Sequence, residues 1–297
     1  MKKRIDLHIH TNLSDGALSP KQVIDEAVEN EVNVIAIADH DTIEVYNNDF
    51  YSYAKKKNIK IINAVEISTK NDKTGIHVLG YNFDINNQEL IKTLFLLRNA
   101  RHKYLYDVTA KLNELGYIVN LEKLDQIDSV TKAHIALDIV NNPQNSKLLL
   151  EKFNYIPQKG EFIETIMNEG CPAYVKKDTI TPKEAANLIR NAGGKVILAH
   201  PVAYKYEDNL NDGEILKIVT EMEADGIEAN YIYFTRNNKK INESNKWNAF
   251  AKKHNLIVTI GSDFHNKDEI HPKIGLITDE ICLNDYDIDN IINNLCN

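Results

Sequence analysis

Short runs rich in valine and isoleucine, most of them closing on histidine, aspartate or glutamate, alternate with longer helical patterns through much of the chain. Side chains share a face every second residue in a strand and about every 3.6 residues in a helix. The alternation therefore predicts a βα-repeat protein. The strand runs are 4–8, 32–38, 60–65, 76–83, 195–199, 226–229 and 256–260. Ser19-Pro20 and Thr181-Pro182-Lys183-Glu184 carry the chemistry of helix starts. Gly193-Gly194 ends the second of these helices just before run 195–199. The stretch 87–170 breaks the alternation, being long, helical in period and poor in β-branched runs. It reads as a helical insertion folded over one end of a barrel built from 1–86 and 171–297.

Composition limits the partners. The chain has 297 residues, 35 basic and 43 acidic side chains and a formal net charge of −8. That balance argues against stable binding to duplex nucleic acid, which needs a basic face. A small anionic substrate remains compatible where bound cations reverse the local field. Cys171, Cys282 and Cys296 are few, odd in number and without metal-like spacing, which fits a reducing cytoplasm. Lys2-Lys3-Arg4 runs into Asp6, His8 and His10 without the apolar core of a signal peptide. No window approaches the roughly 18 apolar residues of a membrane span. A cytoplasmic globular protein is expected.

The histidines and acids fall in a pattern. In Ile5-Asp6-Leu7-His8-Ile9-His10 the apolar residues alternate with Asp6, His8 and His10, so a strand sets both imidazoles on one face. Val34–Ala38 ends in Asp39-His40-Asp41, run 61–65 ends in Glu66, and His77 opens the segment 76–80. Run 196–199 ends in His200-Pro201, and run 256–260 in Gly261-Ser262-Asp263-Phe264-His265. Each is bland alone: a capping acid, a satisfied core histidine. Together they place ionisable groups where a parallel barrel gathers its chemistry. About five histidines with Glu66, Asp15 and Asp263 exceed one tetrahedral site. Mixed imidazole and carboxylate donors suit two or three divalent ions of the zinc, manganese or iron type. A bridging carboxylate such as Glu66 would let the ions share a hydroxide nucleophile, so hydrolysis is the reaction expected. His102, His254 and His271 lack strand-end placement and read as structural or surface residues. No phosphate-binding glycine loop or nucleophile elbow is present in the sequence.

The ordered motifs His8-x-His10 with Ser14-Asp15-Gly16, Ala38-Asp39-His40-Asp41-Thr42, Val65-Glu66-Ile67-Ser68, His77-Val78-Leu79-Gly80, Leu198-Ala199-His200-Pro201 and Gly261-Ser262-Asp263-Phe264-His265 resemble those of the PHP (polymerase and histidinol phosphatase) metallo-phosphoesterases. The resemblance runs from residue 4 to about 278. It implies a distorted (β/α)7 TIM-like barrel with a trinuclear metal centre. The implied ligands are His8, His10, Glu66 and Asp263 for one ion, Asp15, His40 and His265 for a second, and Glu66, His77 and His200 for a third.

Residues 131–140 resemble the branch with an inserted helical subdomain, which includes nucleoside 3′,5′-bisphosphate phosphatases, exonucleases acting on short RNA and an AMP-cleaving phosphatase. That likeness implies that His134 touches the scissile phosphate as an acid, alongside Glu66 and Asp263 in the catalytic set. Lys132 stands where the branch commonly has arginine, and Ala203 where another is often found. Lys132, Lys176, Lys177 and Arg236 are the candidate substrate contacts, with Lys205 a further source of charge. The expected function is metal-dependent hydrolysis of phosphate monoesters on nucleotides or short oligonucleotide ends. Histidinol phosphatase and a non-catalytic, metal-stabilised PHP module remain the alternatives.

Overall fold

Every residue of strand β1 (Ile5–Ile9) is buried, so both of its faces need partners. Ile5 and Leu7 join an apolar cluster with Ala36, Leu79, Ile197 and Ile260. Parity would send Ile9 to the same side. Pairing with the next strand slips between Asp6 and Ile9, and Ile9 packs instead with Val23, Ile24 and Ile37. The computed structural model describes residues 3–127, 129–235, 238–281 and 283–296. The chain divides into two compact units, Met1–Leu94 with Ile180–Asn297, and Phe95–Thr179.

The first unit is mixed α/β. Strands β1, β2 (Val34–Ile37) and β3 (Lys60–Ile61) form one parallel sheet. A second sheet has the order β10-β7-β6-β5-β4, from β4 (Ala64–Lys70), β5 (Gly75–Tyr81), β6 (Lys195–Leu198), β7 (Gly226–Asn230) and β10 (Ile257–Ile260). Strands β8 (Ile232–Phe234) and β9 (Lys240–Asn242) form a separate antiparallel hairpin. Two parallel bridges link the larger sheets, Ile9 with Phe264 and His40 with Glu66. They rest on His10 N–H donating to the Phe264 carbonyl at 2.9 Å and Asp41 N–H donating to the Glu66 carbonyl at 3.0 Å.

The strand pattern departs from the sequence expectation in three places. The run 60–65 is two strands, because the chain leaves the sheet at Ile62-Asn63. There the Asn63 side chain takes a bond from the Tyr51 hydroxyl at 2.5 Å and gives one to the Phe83 carbonyl at 3.2 Å. Glu66 therefore lies inside β4 and does not follow its end. Strand β5 runs antiparallel to both β4 and β6. Asn71 Oδ1 accepts from the backbone N–H groups of Lys73 and Thr74, both at 2.8 Å. This Asx turn reverses the chain without a crossover helix. The β8–β9 hairpin had no counterpart among the runs.

Helix starts follow their local chemistry. Ser19 caps Pro20–Glu29 and Thr181 caps Pro182–Asn191, each in a reciprocal capping box with Gln22 and Glu184 respectively. The second unit is helical and holds Lys132–Asn141, Ser146–Phe153, Lys159–Phe162 and most of Gln88–Glu114. Its core is built from Leu105, Leu112, Ile135, Ile139, Leu149 and Phe162. No helix among the described residues is long and apolar enough to cross a membrane. Leu79 is fully buried in the first unit's apolar cluster. Truncation to Leu79→Ala leaves a cavity and is expected to cost about 2–5 kcal/mol, read as a lower urea midpoint at unchanged denaturant slope.

Candidate metal centre

His8 and His10 bring their Nε2 atoms within 3.2 Å of each other, as neighbours of one face should. Around them the first unit gathers the other metal ligands that the resemblance implies. Glu66 Oε2 lies 3.3 Å from His8 Nε2, 3.2 Å from His10 Nε2 and 3.1 Å from His40 Nδ1. Its Oε1 lies 3.0 Å from His77 Nδ1 and 3.2 Å from His200 Nε2. Asp263 Oδ1 is 3.4 Å from His8 Nε2 and 3.1 Å from His10 Nε2. Asp15 Oδ1 is 3.3 Å from His265 Nε2, and its Oδ2 is 3.7 Å from His40 Nε2.

The fold explains the convergence. His40 and His200 follow the C-terminal ends of β2 and β6. His77 sits near the start of β5, and because β5 runs antiparallel its start lies beside the end of β6. Backbone conformation turns several of these groups inward. Asp41, His200 and Asp263 have φ of 54°, 25° and 53°, conformations that cost non-glycine residues of order 1–3 kcal/mol and concentrate at working sites. Gly261 is required by close approach, since a Cβ there would overlap His8 Cβ and Glu228 Oε1.

A set of acids holds the cluster from behind. Glu228 Oε1 lies 3.0 Å from His8 Nδ1, and its Oε2 accepts from the His200 backbone N–H at 2.9 Å. Asp6 accepts from Ser262 N–H at 3.0 Å, Ser262 Oγ at 2.6 Å and Gly275 N–H at 2.9 Å. Asp39 accepts from Thr11 N–H at 2.7 Å, Thr11 Oγ1 at 2.6 Å and Ser14 Oγ at 2.6 Å, tying down the loop that carries Asp15. None of the three was assigned a role from the sequence. The available signal was an acid inside an apolar strand: Glu228 in Gly-Ile-Glu-Ala-Asn and Asp6 on the face of His8.

Three groups of side chains offer donor atoms within 4.8 Å of one another: His8, His10, Glu66 and Asp263; His10, Asp15, His40 and His265; and His40, Glu66 and His77. His10 thus joins the second group, and His40 completes the third where the resemblance implied His200. The donor set fits divalent cations. Its acids face imidazoles, and among the described residues no lysine or arginine pairs with Glu66, Asp15 or Asp263. His200 Nδ1 is buried without a hydrogen-bond partner.

Electrostatics point the same way. Burial works against charge on His10, but hydrogen bonds to Asp263 and Glu66 override it and raise its pKa to about 10. Burial pushes His40 down to about 3 against the pull of Glu66 and Asp15. Burial also opposes ionisation of Glu66, yet His77, His40 and His8 hold it well below the usual carboxylate range. Without cations, protons on the imidazoles balance these acids.

Four of the remaining site candidates are not in the first unit. His134, Lys132, Lys176 and Lys177 belong to the second unit. His134 is the third residue of helix Lys132–Asn141, and its Nδ1 accepts from the Thr131 N–H at 3.1 Å. That bond leaves the proton of the neutral ring on Nε2. Lys132 Nζ donates to Asn168 Oδ1 at 3.1 Å. Lys176 is exposed and Lys177 half-buried. Arg236 lies outside the described residues.

The PHP domain profile matches residues 6–168, over half of the chain. The chain belongs to the PHP domain family. A 5′-3′ exoribonuclease of Haemophilus influenzae is 30% identical over 89% of this PHP chain and 91% of its own length. A 3′,5′-nucleoside bisphosphate phosphatase of Chromobacterium violaceum is 25% identical, covering 91% of this chain and 90% of its own. In fold this chain is similar to a solved structure from C. violaceum, described as an amidohydrolase with bound sulfate and no metal. That likeness has a TM-score of 0.74 at 24% identity, covering 92% of this chain and 90% of that one. This PHP protein is a hydrolase acting on phosphoester bonds.

Two outcomes follow from the geometry. Loading metal into the cluster should expel protons, because His10 keeps its proton up to about pH 10 in the metal-free state. Apparent affinity should rise with pH below that value, and calorimetry in buffers of different ionisation enthalpy should report net proton release. Glu228→Ala frees the His8 ring and should weaken metal binding about 10–100-fold, with Glu228→Gln recovering part of the loss.

Proposed function

We propose that the chain is a metal-dependent phosphomonoesterase of nucleotides, working in a reducing cytoplasm without binding duplex nucleic acid. The observation that carries this reading is the single carboxylate of Glu66 within 3.3 Å of five imidazole nitrogens, an arrangement suited to cations held side by side. The names of the two curated relatives support nucleotides and RNA ends as substrates. The acidic balance, and the free thiols of Cys171 and Cys296, support the location and the absence of duplex partners.

In this reading the strands β1, β2, β4, β5, β6, β7 and β10 make a distorted TIM-like barrel of seven strands. The bridges Ile9–Phe264 and His40–Glu66, which link the two larger sheets, support it. Residues 87–170 are the inserted helical subdomain. His8, His10, Asp15, His40, Glu66, His77, His200, Asp263 and His265 would hold two or three ions of manganese, zinc or iron. Such cations neutralise the phosphate oxygens and lower the pKa of a water beside them. Glu228 fixes the His8 ring, and Asp39 fixes the loop of Asp15. Asp263 and Glu66 keep the donors of His8 and His10 aligned. His134 is the proposed catalytic acid, and Lys132, Lys176, Lys177 and Arg236 are the proposed substrate-binding cations.

Phosphate release from AMP, adenosine 3′,5′-bisphosphate and histidinol phosphate should require added manganese, zinc or iron after chelator dialysis, with nucleotides preferred. Glu66→Ala should lose bound metal by elemental analysis and drop turnover below detection. Retention of both would sink the assignment. His134→Ala should keep its metal and lose about 10²–10³ in kcat, as expected for a donor that stabilises developing charge.

A further inference from the structure

In a hydrogen-bonded antiparallel pair, two opposed residues exchange both of their backbone bonds. His77 and Ala199 continue the register of β5 and β6, and Ala199 N–H donates to the His77 carbonyl at 3.2 Å. The return bond goes elsewhere: His77 N–H donates to the Tyr204 hydroxyl oxygen at 2.8 Å. The local chain arranges this exchange. His200 turns the backbone with a φ of 25°, and helix Pro201–Glu207 begins directly after it. Tyr204 therefore stands about one helical turn beyond His200. The two rings have centroids 5.4 Å apart, and Tyr204 is 4% exposed.

A phenol has one proton to give and lone pairs to receive, and it keeps that proton at neutral pH. The His77 amide takes up one lone pair, and among the described residues no acceptor takes the proton. Beside the cluster lies a cavity of about 360 Å³, at the small end of sites that hold small molecules. Tyr204 lines it together with His40, Glu66, His77, His200 and Asp263. The phenol thus borders the same space as the candidate metal ligands. Its oxygen is fixed by a strand amide and its ring by the packing against His200, so the direction of the hydroxyl is set before any ligand arrives.

Phosphoryl transfer spreads negative charge over three non-bridging oxygens, and a donor placed in advance stabilises that charge without reorganising during the reaction. We propose that Tyr204 is a catalytic residue of this kind. Its hydroxyl gives a hydrogen bond to a non-bridging oxygen of the phosphoryl group while the ester is cleaved. No proton changes hands in this role, so the phenol stays neutral and a separate acid serves the leaving oxygen. The inference rests on the phosphomonoesterase reading and deepens it.

The test compares wild type with Tyr204→Phe, which deletes one oxygen, on the full chain saturated with manganese. Melting and elemental analysis establish first that both are folded and hold equal metal. Tyr204→Phe should lower kcat about 10²–10³-fold with KM little changed. The factor should be the same for AMP and for p-nitrophenyl phosphate, whose leaving group needs no proton. Equilibrium titration gives a second readout. Vanadate, a five-coordinate mimic of the reacting phosphorus, should bind the variant at least about tenfold more weakly, with inorganic phosphate affected less than about threefold. Tyr204→4-aminophenylalanine, which restores a proton to donate, should recover part of kcat. The donor role is overturned by a kcat within about threefold of wild type, or by equal losses in the two variants. It is overturned as well by a loss confined to AMP, which would assign the hydroxyl to the leaving oxygen. A folded variant that fails only to hold metal reduces Tyr204 to a support for His77 and overturns it too. If wild type hydrolyses no ester, the phosphomonoesterase reading fails, and vanadate binding decides Tyr204 separately: unchanged affinity in the variant overturns the proposal.

Discussion

A carboxylate 1% exposed to solvent cannot stay ionised without compensation, and Glu66 is compensated almost entirely by imidazoles. Removing a carboxylate from water costs several kcal/mol even after the protein relaxes. Five ring nitrogens around two oxygens repay that cost only if positive charge resides among them. In the metal-free chain the charge is protonic, which is why His10 is driven up to about 10, while burial drives His40 down to about 3. Divalent cations would supply the same compensation without loading the rings with protons. The centre of the site is thus the place where folding and cation binding are one electrostatic problem.

The outer acids follow from that demand. A ring that must present one nitrogen inward needs its other nitrogen fixed, and Glu228 does this for His8 at 3.0 Å. The same carboxylate receives the His200 backbone N–H, so one side chain sets the direction of two cluster members. Asp6 bonds Ser262 and Gly275 and steadies the turn that presents Asp263 in its left-handed conformation. Each support sits on a strand or at its end, where backbone position is most tightly determined. Gly261 shows the accompanying steric constraint, for the pair His8–Glu228 leaves no room for a side chain there.

Much of this was legible in the residues. Alternation in Ile5–His10 fixed the two imidazoles on one face, and apolar runs ending in His or Asp located His40, His200 and Asp263. The less legible parts depend on contacts between distant segments. An Asx turn at Asn71 makes β5 antiparallel, and no strand propensity reports that reversal; it is why His77 at a strand's beginning meets groups at other strands' ends. Run 60–65 reads as continuous because Ile61, Ile62 and Val65 are β-formers, whereas the break at Asn63 is made by bonds to Tyr51 and Phe83, twelve and twenty residues away. Glu228 looked like one acid in an apolar strand, since its partner His8 is 220 residues distant.

The cavity extends the same electrostatic logic outward. Cations at the cluster would draw any phosphate, so attraction alone cannot tell one phosphoester from another. Discrimination has to come from groups that meet the rest of the molecule.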